Sequence, residues 1–134
     1  DGLSYGAGSF MSQSDYEEMT SMGAYAICAP QNLDKVEIGF KEELARVIKD
    51  GFTQEEVESA KSGLLQGKKV SRAQDRELAG KLVHNLSLDR TMKWSKEYEQ
   101  RLANLTAEDV HNAFKKYVKL ENFALIKAGD MSKL

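Results

Sequence analysis

The stretch Ile48-Lys49-Asp50-Gly51-Phe52-Thr53-Gln54-Glu55-Glu56-Val57 closes one helix and opens the next. Gly51 supplies the stop, because a helix commonly exits through a left-handed residue that glycine adopts without a Cβ clash. Thr53 supplies the start. Its hydroxyl can accept from the first free amides of the new helix, and Glu56, three residues on, can reach back to the Thr53 amide. Phe52 and Val57 flank the cap as an apolar pair able to staple the entry. The same design recurs at Leu105-Thr106-Ala107-Glu108-Asp109-Val110, with Asp109 as the returning acid.

Outward from these two starts the apolar spacing marks the other helices. Leu33, Val36, Phe40, Leu44, Val47 and Ile48 recur at three- and four-residue steps after Pro30, which places them on one face of a helix ending near Asp50-Gly51. Val57, Ala60, Leu64 and Leu65 carry the second helix toward Val70, with a break at Ser71-Arg72-Ala73. Leu78, Leu82, Val83 and Leu86 mark a third helix, Met92, Trp94, Tyr98 and Leu102 a fourth, and Val110, Ala113, Phe114, Tyr117 and Val118 a fifth.

The ends of the chain lack that spacing. Leu3-Ser4-Tyr5-Gly6-Ala7-Gly8-Ser9-Phe10-Met11 predicts a strand, and Gly23-Ala24-Tyr25-Ala26-Ile27-Cys28-Ala29 a second, joined by the polar stretch between Ser12 and Ser21. Asn122-Phe123-Ala124-Leu125-Ile126-Lys127-Ala128-Gly129 predicts a last strand before a short polar tail. The order is α+β, an antiparallel sheet with several helices packed on one face. Three strands make a small sheet, and chain preceding residue 1 is expected to complete it. Residues 1–134 are expected to form a single domain fragment of that kind.

Composition narrows the function classes. Hydrophobic residues at 41% and charged residues at 30% suit a globular domain rather than a disordered one. With 19 Lys and Arg against 21 Asp and Glu there is no positive excess to neutralise a phosphate backbone, so nucleic acid is not an expected partner. Apolar runs such as Ala24 to Pro30 are too short to cross a bilayer, and no membrane partner is expected. Cys28 sits in that run as a small hydrophobe and, being the only cysteine, makes no internal disulfide.

Catalytic motifs are missing. His84 and His111 are the only histidines, and neither stands in His-x-x-Glu-His or His-Glu-x-x-His spacing, so no metal site is expected in this chain. Ser9 lacks the second glycine of a Gly-x-Ser-x-Gly elbow, and Gly6-Ala7-Gly8 lacks the third glycine of a dinucleotide turn. Lys68, Lys69 and Arg72 form a small basic patch, which Asp75 and Glu77 mark as a solvated helix face.

Several motifs together resemble the insulinase/pitrilysin family of zinc peptidases. Asp1-Gly2-Leu3-Ser4-Tyr5-Gly6-Ala7-Gly8-Ser9 looks like the later part of the family's Arg-x-Lys-x-Gly-Leu-x-Tyr stretch. Ala29-Pro30-Gln31-Asn32 ahead of a helix, Ile48-Lys49-Asp50-Gly51-Phe52-Thr53 with Glu55-Glu56-Val57 and Ala60-Lys61, Leu105-Thr106-Ala107-Glu108-Asp109-Val110, and Lys127-Ala128-Gly129-Asp130 extend the likeness along the chain.

The resemblance implies a non-catalytic C-terminal domain that helps enclose substrate in a metalloendopeptidase. Its partners would be the zinc-binding half of the same protein and a peptide substrate. This chain would carry no cofactor, and zinc would belong to the parent protein. Tyr5 matches the family's substrate-facing tyrosine, whereas the arginine that accompanies it would fall before Asp1. A phenol aimed at the attacked carbonyl can stabilise the developing oxyanion. From the residues alone, Tyr5 on a glycine-flanked strand reads as a core or edge aromatic. Two other functions stay open: a catalytically inactive assembly subunit of the same family, and a peptide-binding module working by strand addition. Analogy with exported bacterial relatives places the protein in the periplasm.

Overall fold

Small and aromatic residues at the N-terminus form a hairpin of two antiparallel strands, β1 (Gly6–Gln13) and β2 (Thr20–Ile27), in the computed structural model, which describes residues 2–130. The register pairs Gly6 with Ile27 and Gln13 with Thr20. Both strands run further toward the turn than the apolar pattern suggests, because Ser14 closes the loop. Its hydroxyl accepts from the amides of Tyr16 (3.2 Å) and Glu17 (3.1 Å), and its amide donates to the Met19 carbonyl (3.0 Å). Two cross-strand pairs set glycine against an aromatic ring, Gly8 with Tyr25 and Phe10 with Gly23. A Cβ on Gly8 would lie 2.9 Å from Tyr25 Cε1, and one on Gly23 would lie 2.5 Å from Phe10 Cζ. Each ring rests on backbone that only glycine leaves bare.

The described chain separates into two compact units, residues 2–49 with 118–130, and residues 50–117. In the first unit a short 3-10 turn (Pro30–Asn32) leads into α1 (Leu33–Asp50), where Leu44 is the buried member of the apolar face. Proline suits that entry, since its fixed φ fits a first helical position and its missing N–H is not needed there.

The last strand expected from the sequence does not form. Leu120–Asn122 is a 3-10 turn, and the residues after it make no ladder with the hairpin, whose strands pair only with each other among the described residues. The Phe123 ring meets Phe40 edge to face, with centroids 5.8 Å apart. Lys127 Nζ reaches Asp34 (3.0 Å) and Glu37 (2.8 Å). A strand exists through its hydrogen-bonded neighbour, and this segment spends its side chains on a helix instead. Of the polar tail expected after Gly129, Met131 to Leu134 lie outside the described residues.

The second unit holds α2 (Gln54–Arg72), α3 (Asp75–Ser87), α4 (Met92–Asn104) and α5 (Ala107–Tyr117). The first of these packs against the other three. Both predicted starts are present. Glu56 N–H donates to Thr53 Oγ1 (3.2 Å) while Thr53 N–H donates to Glu56 Oε2 (2.7 Å), a reciprocal capping box. Asp109 N–H donates to Thr106 Oγ1 (3.1 Å) and Thr106 N–H to Asp109 Oδ2 (3.0 Å). The hydroxyl and amide of Thr106 hold the Asp109 carboxyl below the ordinary carboxylate range. Gly51 takes φ 78°, and a Cβ there would meet His111 Cγ at 2.7 Å.

Polar side chains occupy much of this unit's interior. Lys61 is buried with its ammonium donating to the Leu105 carbonyl and to Glu58, both at 2.8 Å, which ties α2 to the end of α4. Asn85 is 2% exposed and its Nδ2 donates to buried Ser95 Oγ (3.1 Å), joining α3 to α4, while Oδ1 has no protein partner. Arg72 makes a two-pronged pair with Glu99. Val57 is the buried apolar side chain here, and the Phe52 and Phe114 rings meet edge to face at 5.4 Å. The α+β class read from the sequence is the class observed, with two strands and five α-helices among the described residues.

Candidate functional site

Tyr5 stands one residue before β1. Its N–H donates to the Ile27 carbonyl at 2.7 Å, so the main chain is already held by the hairpin partner. Two residues earlier the Leu3 carbonyl accepts from Asn32 Nδ2 (3.2 Å), which pins the approach to the turn before α1. The phenol itself is 83% exposed. Tyr5 is thus an edge aromatic with an ordered backbone, not a core one, and its hydroxyl is available to donate. Around it, the hairpin also exposes Phe10, Met11, Tyr25 and Ile27.

A second cluster lies in the helical unit and combines residues far apart in sequence. The rings of Trp94 and Tyr98, one turn apart on α4, stack with centroids 5.5 Å apart and planes 15° from parallel. Lys68 from α2 sits over the Tyr98 ring at 5.0 Å. Lys81 from α3 and Arg90 from the following loop sit over Trp94 at 5.8 and 4.2 Å. The basic patch at Lys68, Lys69 and Arg72 is therefore more than a solvated face, since Lys68 covers an aromatic ring and Arg72 pairs with Glu99. Periodicity could flag Trp94 and Tyr98 as helical neighbours, but no local spacing joins them to cations on two other elements.

The histidines stay apart in role. His84 lies exposed in the last turn of α3, and His111 lies on α5 beside Gly51. Among the described residues no three His, Cys, Asp or Glu side chains are grouped to hold a metal ion. A zinc site draws on three or four such ligands, so the described residues do not fit one. Among them, likewise, no helix is long and apolar enough to cross a membrane.

Comparison with known proteins agrees with the motif reading. Residues 1–64 match the family model described as Peptidase M16 inactive domain. The matched stretch holds Tyr5, the hairpin, α1 and the start of α2. No curated protein and no solved structure gives a match to the chain.

Proposed function

We propose that this chain, whose residues 1–64 match the Peptidase M16 inactive domain, encloses and orients peptides for a zinc-dependent endopeptidase. The match to the inactive domain carries the reading, because such a C-terminal domain implies an N-terminal half with which it pairs. The metal would be held on that other half. Residues 1–134 would form one fragment of the C-terminal half, and the protein would work in the periplasm. In this scheme the Tyr5 hydroxyl donates to the carbonyl under attack, where a preorganised donor is worth most because charge develops there in the transition state. The anchored backbone and free phenol of Tyr5 suit that task.

Tyr5→Phe in the intact parent protein tests it. Turnover should fall by about tenfold or more, as expected for losing one oxyanion donor that shares its work with another group, while melting temperature and zinc content stay nearly unchanged. Full turnover in a stably folded variant would leave Tyr5 an ordinary edge aromatic. An assembly role for a catalytically inactive member of the family is the second reading, favoured by the apolar side chains that Phe10, Met11, Tyr25 and Ile27 expose. An N-terminal half without His-x-x-Glu-His that still forms a stable complex with this chain selects that reading.

A further inference from the structure

We propose that the cation and aromatic cluster on α2, α3 and α4 is a docking surface for an acidic peptide segment. Lys68 at the Tyr98 end and Lys81 at the Trp94 end carry the proposal. Both side chains belong to half-buried residues, held over rings rather than free in solvent. A ring quadrupole attracts an ammonium but does not neutralise it. Among the described residues neither lysine pairs with a carboxylate, and of the two acids flanking Tyr98, Glu99 is taken by Arg72 and Glu97 lies 3.9 Å from Lys93. Two positioned positive charges are thus left for an outside anion.

Charge distribution points the same way. The chain as a whole has net charge −2, yet residues 66–101 hold nine Lys or Arg against five Asp or Glu. Residues 50–65 of the same unit hold one Lys against four Asp or Glu. A local basic surface on an acidic protein selects a short acidic stretch over a long polyanion, which would meet repulsion beyond the patch. The rings argue against nucleic acid too. Single-stranded nucleic acid is gripped by bases stacking on open aromatic faces. Here Trp94 and Tyr98 stack on each other, while Lys68 covers Tyr98 and Arg90 and Lys81 cover Trp94. What the cluster offers is cations at set positions, with rigid aromatic surface to pack beside them.

Trp94 is the chain's only tryptophan, so its emission reports on the cluster directly. The test titrates the full chain with a dye-labelled peptide of alternating Glu and Gly, reading dye anisotropy and Trp94 emission together. The Gln and Gly counterpart, an oligo-dT strand, and vesicles of phosphatidylcholine with phosphatidylserine are titrated alongside. Saturable binding of the Glu peptide with a change in Trp94 emission, weakened by salt, is the expected result. Lys68→Gln with Lys81→Gln should weaken it by about threefold or more, the effect of losing two partly exposed ion pairs, and should leave the melting temperature in place. Lys68→Arg with Lys81→Arg should retain it. Equal binding by the Gln peptide, an unchanged affinity in the double Gln variant, or binding of oligo-dT or vesicles in preference to the peptide would each overturn the proposal.

Discussion

In the β1–β2 hairpin no side chain is fully buried, whereas the unit of residues 50–117 buries Val57 together with the polar side chains of Lys61, Asn85 and Ser95. A two-stranded hairpin is marginal in water when nothing covers it, so its order rests on ladder bonds, on the ring-over-glycine pairs and on whatever surface it meets. The helical unit closes more of its own interior and uses polar side chains to do so. Such groups are costly when unpaired, and they specify one arrangement of helices by demanding particular partners. The comparison predicts where damage is severe and where it is slight.

The largest effect should follow from breaking the buried polar link. Asn85→Ala leaves Ser95 Oγ without its donor inside the unit and opens space beside it, and should cost about 1–3 kcal/mol by denaturant melt. Protection of α2, α3 and α4 amides from hydrogen exchange should fall with it, while hairpin amides, which belong to the other unit, should change little. A fall of equal size in the hairpin would show that the two regions open together and would break the comparison.

Next come the helix starts. Thr53→Ala and Thr106→Ala each remove the hydroxyl that accepts from the third helical amide, and each should cost about 1 kcal/mol by thermal melt. An unchanged melt in either variant would mean that the acid alone, Glu56 or Asp109, suffices to hold its helix start.

The smallest effect belongs to the tether between Lys127 and α1. Hydrogen bonds from Lys127 first, and then from Lys41, bring the Glu37 carboxyl down from its ordinary 4.5 to about 2. Glu37 and Asp34 raise Lys127 in turn. A carboxyl depressed in the folded state stabilises fully above its unfolded value, and that contribution drains away as pH falls through the folded one. A raised lysine contributes below its ordinary value and fails as pH climbs through the raised one. The tether should therefore hold from about pH 5 to the lysine range and loosen between about pH 4.5 and 2. Nuclear magnetic resonance of the Phe123 ring across that acid window would show it, with Glu37→Gln removing the transition near pH 2. The groups are exposed, so salt should soften the effect.

Helix starts and stops were legible in the sequence because their chemistry is local: Gly51, Thr53 with Glu56, and Thr106 with Asp109 each act within a single turn. The break at Ser71-Arg72-Ala73, where α2 ends at Arg72, was legible from the interruption of the apolar spacing rather than from a cap. The segment after Asn122 misled because its apolar run is strand-like in isolation, while strand formation is decided by a neighbour elsewhere in the chain. Burial of Lys61 and Asn85 was equally hidden, since their partners lie 44 and 10 residues away. For the candidate sites the contrast is sharper. Tyr5 was singled out by resemblance to a family stretch, whereas the cluster around Trp94 draws residues from α2, α3, a loop and α4, and no sequence window holds them all.

The ring-over-glycine pairs of the hairpin carry one more consequence. Tyr25 can lie flat because Gly8 has no side chain, and Phe10 because Gly23 has none. A slip of the strands by two residues keeps every side chain on its own face and so escapes the usual penalty of a misaligned sheet. Here a slip one way would set Phe10 against Ser21 and Gly8 against Gly23, and a slip the other way would set the rings of Phe10 and Tyr25 against each other. The alignment of the hairpin is thus encoded by atoms that are not there: two vacancies, placed diagonally, act as a keyway into which the rings fit in one position.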